Sequence, residues 1–351
     1  AELCLSAKEE AGTVPLGAAI SAAARLFPTL RDALEQGKTW ANPRDTGVSA
    51  AIAAKLFGTP VELTASKLDQ FAARPLEFFL LYGLKAKIRQ EATFNAAEFG
   101  TFVHYILEKS VPQLLQHPGA CSEGESMQLV EQQMPQYTAE HLEHIQQTSR
   151  QRYLLQRNRR EAALLIQEIS QELTTTDFVP CGYEISLGGR EGLPALSVQG
   201  QLGTGTLSGF VDRADLWKSP HGNFLRIIDY KTGTKKFDYT DLTGGAGMQM
   251  LLYLFALERS GLPGIARKLT PAGVLYLPAK RDFRSTASPQ DPKAESGPTP
   301  RSGVILSEDG VPDAMEHGDV PRYMPAKRGK LDMDYVLSRQ QFLELRDYVE
   351  D

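Results

Sequence analysis

Two short stretches of the sequence each place a carboxylate near a turn. The first is Gly209-Phe-Val-Asp-Arg-Ala-Asp215, and the second is Asp229-Tyr-Lys-Thr-Gly233. Hard cations such as Mg²⁺ prefer carboxylate oxygens and keep several water ligands. If Asp212 and Asp229 meet across a hairpin, we expect a sparse Mg²⁺ or Mn²⁺ site in which water and a substrate phosphate complete the coordination shell.

Lys231 follows Asp229 by two residues, so both side chains project from the same face of a strand. Such a group suits phosphodiester hydrolysis, because a metal activates water and an ammonium group holds the water or the phosphate. A solvated hairpin with a surface lysine is the alternative for an isolated Asp-x-Lys. However, Leu225, Ile227 and Ile228 place Asp229 at the edge of a buried strand, where an unpaired carboxylate is costly unless something binds it.

The composition is that of an ordinary globular protein. The 351 residues are 42% hydrophobic and 23% charged, which argues against fibrous and mostly disordered classes. No apolar run approaches the roughly 18 to 20 residues of a membrane span, and a net charge of −5 gives no global sign of a polyanion partner. Three widely separated cysteines favour a reducing compartment, so we expect a fragment of a cytoplasmic protein.

Hydrophobic periodicity predicts a helical lead-in over residues 1–60 and one large domain over residues 61–351. Within the domain, helical patterns cover residues 96–115, 138–173 and 247–260. The β-like runs are short and bounded by Gly, Ser or Pro. They cover residues 181–187, 207–217, 224–230 and 272–278. We therefore predict an α/β core, a small mixed central sheet flanked by helices, with a helical N-terminal extension.

Three sequence blocks occur in the order found in a known nuclease family. They are Gly209-x-x-Asp-Arg-x-Asp215, Asp229-Tyr-Lys-Thr-Gly233 and Gln249-x-x-x-Tyr253. In this combination the chain resembles the PD-(D/E)XK nucleases of the RecB type. The resemblance implies a restriction-endonuclease-like core and exonuclease-type hydrolysis of DNA with Mg²⁺ or Mn²⁺. The carboxylates Asp212 and Asp229 would hold the metal, and both would act in catalysis with Lys231.

The resemblance also gives roles to residues outside the first two blocks. Gln249 and Tyr253 are four residues apart on one helix face, so both can reach the active site or the nucleic-acid backbone. A tyrosine packed in the core is the alternative. His104 follows Gly100 by about one helical turn, as in the family helix that supplies a histidine to the metal, although a lone histidine on an apolar helix is usually a core residue.

Two more metal ligands are expected from the family pattern. Glu184 occupies the strand in which these nucleases commonly carry an upstream acid, and an exposed strand glutamate is the alternative. The backbone carbonyl of Tyr230 would complete the ligand set.

Basic residues are candidates for contact with DNA. Arg213 belongs to the first block, and Arg150, Arg157 and Arg160 lie on the polar face of the helical segment 138–173. Arginines can track a DNA backbone by displacing its counterions. A solvated helix face is the alternative for the last three.

From about Leu63 to the terminal helix, the sequence is further similar to the nuclease region of the AddB family, whose members belong to bacterial ATP-dependent helicase-nucleases. This similarity implies DNA repair and recombination in the bacterial cytoplasm with a partner subunit of the AddA type. No Walker A pattern occurs in the chain, so ATP hydrolysis would belong to another polypeptide.

One departure from the AddB pattern concerns an iron–sulfur cluster. Arg74 stands where AddB proteins typically carry the first cluster cysteine, and no cysteine group resembling the other three precedes Asp351. We therefore expect no iron–sulfur cluster in this chain. A longer parent chain or a cluster-free lineage would explain the missing group, but only the lineage explains Arg74.

Two alternative functions stay open. The first is a non-catalytic DNA-binding or scaffold module that retains the nuclease fold, although the intact Asp212, Asp229 and Lys231 argue against decay. The second is a standalone phage-type or repair exonuclease. Co-purification of a large ATPase would distinguish a helicase-bound nuclease from the standalone enzyme.

Overall fold

The chain divides into two units, Ala1–Leu56 and Phe57–Asp351. The computed structural model describes residues 48–86, 96–117, 119–142, 148–188, 192–200, 203–233, 236–262, 264–279, 301–327 and 329–350. In the first unit these are residues 48–56, most of which lie in helix α1 (Ala50–Phe57). The predicted lead-in over residues 1–60 therefore falls mainly outside the described residues, and the domain boundary stays a prediction.

Helices alternate with strands along the second unit. Its described α-helices are α2 (Ala65–Ala73), α3 (Pro75–Phe78), α4 (Ala96–Leu114), α5 (Glu123–Tyr137), α6 (Ser149–Leu173), α7 (Tyr239–Thr243), α8 (Gln249–Ser260), α9 (Val311–Met315) and α10 (Arg339–Glu350). Short π-helical turns, Phe79–Gly83 and Thr138–Leu142, follow α3 and α5. Across the described ranges, every helix is too short or too polar to span a lipid bilayer.

Helix α6 starts later than the periodicity predicts. Its first residue is Ser149 rather than one near residue 138, because Thr148 and Gln151 form a capping box that satisfies backbone groups at the helix start. The periodicity also predicts an apolar face made of Leu155, Ala162, Ile166, Ile169 and Leu173. The first four are buried, and Leu173 is partly buried against the core. The arginines on the other face are exposed. They are Arg150, Arg157 and Arg160.

The core of the second unit is an eight-stranded mixed sheet. Its strands are β1 (Val61–Thr64), β2 (Val179–Leu187), β3 (Leu196–Gly200), β4 (Gly203–Ser219), β5 (Gly222–Lys231), β6 (Thr270–Pro278), β7 (Ser302–Leu306) and β10 (Val336–Leu337). The strand order is β1-β4-β5-β6-β7-β10, and β2 and β3 also pair with β4. Strands β8 (Ala326–Lys327) and β9 (Lys330–Leu331) form a separate pair.

The antiparallel pair β4–β5 brings the two acidic blocks together. Arg213 pairs with Ile228 in this register, so Asp212 and Asp229 stand next to each other just beyond that pair. Strand β5 also pairs in parallel with β6, and this central position buries its residues from Phe224 to Tyr230. Helix α4 packs on β2 and β4, and α8 packs on β5 and β6. The predicted fold class, an α/β core with a mixed sheet flanked by helices, is confirmed.

Candidate active site

A cavity of about 700 Å³ lies at the carboxyl end of β5. The side chains that the sequence predicted for metal binding and catalysis all line it. They are His104, Glu184, Asp212, Asp229, Lys231, Gln249 and Tyr253, and Tyr230 lines it as well. These residues come from α4, β2, β4, β5 and α8. The fold therefore brings distant parts of the chain to one place, while the role of each residue stays a prediction.

His104 lies at the centre of the acidic groups. Its Nδ1 is 3.4 Å from a carboxylate oxygen of Glu184 and 3.4 Å from one of Asp212. Its Nε2 is 3.0 Å from the carbonyl oxygen of Tyr230. Burial disfavours the charged imidazole, but the hydrogen bonds and negative charges of Asp212 and Glu184 outweigh it and raise the pKa of His104 to about 10.

Asp229 carries a carboxylate with few internal partners. Its Oδ2 is 2.7 Å from Nζ of Lys231, and beyond this ion pair the described residues offer that buried oxygen no hydrogen bond. Burial, followed by the charge of Asp212, raises the pKa of Asp229 to about 6 against the opposing effect of Lys231. Asp212 is better satisfied, since its Oδ2 accepts the backbone N–H of Tyr230 at 2.7 Å.

Glu184 adopts a backbone conformation that is rare within a strand. Its φ is 44°, in the left-handed region, although its neighbours Tyr183 and Ile185 pair regularly with Arg213 and Val211 of β4. Such conformations cost of order 1–3 kcal/mol and concentrate at functional sites. The residue with this unusual backbone conformation is also the one whose carboxylate lies beside His104.

These side chains fit a divalent metal ion. One ligand atom each from His104, Glu184 and Asp212 lies within 4.8 Å of the others. Asp229 adds its buried Oδ2, which has a single ion pair, with Lys231, within the described part of the chain. Carboxylate-rich ligand sets suit Mg²⁺ and Mn²⁺. A cation would also relieve the repulsion between the Asp212 and Asp229 carboxylates.

Gly209 of the first block is in close contact with Tyr253 of the third block. A Cβ at Gly209 would lie 1.8 Å from the hydroxyl oxygen of Tyr253, so only glycine lets this tyrosine reach the strand. Tyr253 is buried, as the core-packing alternative anticipated, yet it also lines the cavity. Its hydroxyl hydrogen-bonds with Gln249, which opposes the rise that burial causes in the pKa of Tyr253.

The prediction that Arg213 contacts DNA is wrong. Its side chain is fully buried, and its Nε and Nη2 donate to both carboxylate oxygens of Asp215 at 2.8 and 2.7 Å. Adjacent strand residues point to opposite faces, so a block with Asp212 in the cavity turns Arg213 into the core. The other three predicted arginines are exposed, and their contact with DNA stays a prediction.

Arg213 belongs to what we call the buried ion cluster. Its members share complete burial of their side chains and come from distant parts of the chain. They are Glu172, Arg213, Asp215, Arg226 and Arg301. The charges of the three arginines outweigh the effect of burial and hold the pKa of Glu172 at about 2. The cluster was not predicted from the sequence, although an arginine inside the apolar run of β5 was a signal for it.

Several other residues that line the cavity were not predicted either. Phe210 lies between the glycine and the aspartate of the first block and is exposed. Hydroxyl side chains surround the cavity beside it. They are Thr64, Ser66, Ser186, Ser208 and Thr232. Their residue types are common in loops and strands, so the sequence carries no signal for them.

Comparison with known proteins identifies the family. The model of the PD-(D/E)XK nuclease superfamily matches residues 62–350, and the chain belongs to this superfamily. The resemblance predicted from the three sequence blocks is thereby confirmed.

The chain is also similar to bacterial proteins that are each named as the B subunit of an ATP-dependent helicase/deoxyribonuclease. The relative from Caldanaerobacter subterraneus subsp. tengcongensis is 31% identical over 229 residues, 63% of this chain and 20% of the relative. The one from Clostridium tetani is 27% identical over 311 residues, 84% of this chain and 27% of the relative. The one from Acetivibrio thermocellus is 31% identical over 238 residues, 65% of this chain and 20% of the relative. The chain thus spans 20% to 27% of the length of these relatives.

Proposed function

We propose that this chain hydrolyses DNA phosphodiester bonds with Mg²⁺ or Mn²⁺ as the nuclease part of an AddB-like protein. The observation that carries the proposal is the convergence of Glu184, Asp212, Asp229, Lys231 and His104 on one open cavity. An excess of carboxylates there would repel a phosphate backbone without a cation. The same carboxylates would hold the cation that a phosphodiesterase requires.

Each residue has a role in this proposal. His104, Asp212, Asp229 and the Tyr230 carbonyl hold the metal, and Glu184 supports it. The bound metal supplies Lewis acidity and lowers the pKa of a water molecule. Lys231 holds that water or a phosphate oxygen with its ammonium group.

The third block and the basic helix face would act on the strand itself. Gln249 and Tyr253 orient the strand at the cavity wall. Arg150, Arg157 and Arg160 would contact the DNA backbone from the exposed face of α6.

The biological setting follows from the relatives. Their names join a helicase and a deoxyribonuclease, which supports our proposal that this chain acts in repair and recombination of DNA in the bacterial cytoplasm. A helicase-type partner of the AddA kind would supply ATP-driven unwinding. We also propose that the chain works without an iron–sulfur cluster, because the resemblance to the AddB family implies that Arg74 replaces the first cluster cysteine.

The test is cleavage of labelled linear DNA, single-stranded and double-stranded, with Mg²⁺, Mn²⁺ or EDTA. We expect metal-dependent cutting, and at least about a 100-fold loss in Asp229→Ala and Lys231→Ala, because each removes a group that stabilises the transition state. Asp319→Ala, an exposed acid outside the cavity, is the matched control and should cut normally.

If Asp229 is a metal ligand, its replacement by alanine should affect cleavage but not DNA binding. This variant should still bind DNA at low salt, since it loses a metal ligand rather than a DNA contact. Retained cleavage by Asp229→Ala would contradict the proposal. Binding without cleavage by the unaltered chain, with either metal, would favour the non-catalytic scaffold.

A further inference from the structure

Phe210 is a large apolar side chain exposed inside a polar cavity. It is 58% exposed, whereas the other large apolar side chains that line the cavity, Leu187, Tyr230 and Tyr253, are at most 3% exposed. The hydrophobic effect favours burial of such a ring. Its exposure beside the proposed catalytic residues leaves the ring free to contact a ligand in the cavity.

The neighbours of Phe210 are too small to cover its ring. Across the strands it pairs with Ser186 of β2, and Ser208 and Gly188 line the same part of the cavity. Gly188 has a φ of 86°, and a Cβ there would lie 2.8 Å from the Cβ of Ser208. A larger residue at Gly188 would be strained, so the side chains beside the ring are small and leave a flat group room to approach it.

The position of Phe210 relates it to the reacting phosphate. It lies two residues before Asp212 on β4, which is about 7 Å along an extended strand. This distance is of the order of one nucleotide step from a phosphate held beside Asp212. On the side of Phe210 away from Asp212, the nearest side chains along and across the strands, Ser208 and Ser186, are uncharged. The ring is therefore suited to contact a base rather than another phosphate.

We propose that Phe210 stacks on the base next to the scissile phosphate and thereby selects an unpaired strand. This inference rests on the proposed nuclease function. Stacking of a base on an aromatic side chain is independent of sequence, because every base has a π face. Bases inside a duplex are already covered on both faces by their neighbours, so the stack requires an unpaired or terminal base.

The first experiment compares Phe210→Ala with the unaltered chain on a single-stranded oligonucleotide. Loss of one stacked base is worth about 1–3 kcal/mol, so we expect kcat/KM to fall about 5- to 150-fold, mainly through KM. Phe210→Trp keeps an aromatic ring at this position and should therefore retain the kcat/KM of the unaltered chain. The matched control is Phe71→Ala, because Phe71 is also exposed, at 56%, but lies outside the cavity lining. Equal thermal midpoints would show that the variants are folded.

The second experiment places one abasic nucleotide in the same oligonucleotide. The unaltered chain should lose cutting at the phosphate beside the abasic position, by a factor similar to that of Phe210→Ala on the intact strand. Phe210→Ala itself should cut the two oligonucleotides equally, since the stack is already absent.

The two proposals fail in different ways. Metal-dependent cutting by the unaltered chain, together with unchanged kcat/KM in Phe210→Ala or an abasic penalty that persists in it, would overturn the stacking role alone. Absence of cutting by the unaltered chain would overturn the nuclease function.

Discussion

The cavity and the buried ion cluster are built from the same two strands but contain opposite imbalances of charge. Strand β4 sends Asp212 to the cavity and Arg213 and Asp215 to the cluster, and β5 sends Asp229 to the cavity and Arg226 to the cluster. Three carboxylates face one lysine and one histidine in the cavity, whereas three arginines surround two carboxylates in the cluster.

The difference separates structural carboxylates from available ones. In the cluster, both oxygens of Glu172 and both oxygens of Asp215 accept from guanidinium groups. In the cavity, the ion pair with Lys231 is the one partner that the described residues offer to Oδ2 of Asp229. The two carboxylates of the cluster are therefore paired within the protein, and loss of either would leave buried guanidinium charges uncompensated. A buried carboxylate with few hydrogen bonds or ion pairs inside the protein is available to bind a ligand.

The largest effect is expected from Asp215→Asn. This change leaves the guanidinium groups of Arg213 and Arg226 buried without their carboxylate, which costs about 3–5 kcal/mol of unfolding free energy. Urea unfolding measures it. Asp212→Asn should instead stay within about 1 kcal/mol of the unaltered chain while it abolishes cleavage. Equal stability losses in the two variants would show that the two regions do not differ.

Acid should weaken the cluster through Glu172. The pKa of Glu172 is about 2 in the folded chain and about 4.3 in an unfolded one. A lowered pKa contributes stability above pH ~4.3 that is lost as the pH falls toward ~2, in total about 3 kcal/mol. Urea unfolding across this range should show the loss, and Glu172→Gln should have a flatter pH dependence. A parallel pH dependence in both proteins would contradict the assignment.

A divalent cation should bind in the cavity and thereby stabilise the folded chain. Binding to the folded state adds about 2.7 kcal/mol when the free metal concentration is 100 times Kd. The thermal midpoint should therefore rise with Mn²⁺ in the unaltered chain and in Asp319→Ala, and EDTA should reverse the rise. Asp212→Asn should respond weakly. An equal rise in Asp212→Asn would place the metal elsewhere.

Gly209→Ala tests the contact between β4 and α8. The new Cβ would displace the Tyr253 hydroxyl, and overpacking of this kind costs about 1–3 kcal/mol. We expect a fall in both stability and kcat/KM. Gly203→Ala is the matched control on the same strand, because its Cβ would meet nothing within 4 Å. A wild-type kcat/KM in Gly209→Ala would mean that the position of Tyr253 is unimportant.

The smallest effect is expected at the exposed arginines of α6. Each phosphate contact contributes about one unit to the slope of log affinity against log salt. Arg157→Ala should therefore weaken DNA binding and lower this slope by about one, whereas the exposed Lys327→Ala should not. If the slope of log affinity against log salt is the same for Arg157→Ala and the unaltered chain, Arg157 does not contact DNA and the polar face of α6 is simply solvated.

Local spacing was enough to predict which candidate residues share a face of a strand or helix. Asp229 and Lys231 share a strand face because side chains alternate, and Gln249 and Tyr253 share a helix face because the helix repeats every 3.6 residues. The apolar face of α6 followed from the same periodicity. Short strands such as β1 and β10 escaped prediction, since four or two residues carry no measurable period.

The sequence by itself identified residues that the fold gathers around one cavity, and it determined which side of each strand or helix they share. The tertiary structure alone decided which charges become structural and which stay available. Glu172 and Arg301, for example, are 129 residues apart in sequence, yet they form a 2.7 Å ion pair. Burial depends on what other elements cover a side chain, so the same block could place Arg213 in the core and leave Phe210 exposed. Local spacing puts Arg213 on the strand face opposite Phe210 and Asp212, but long-range packing decides which of the two faces is covered.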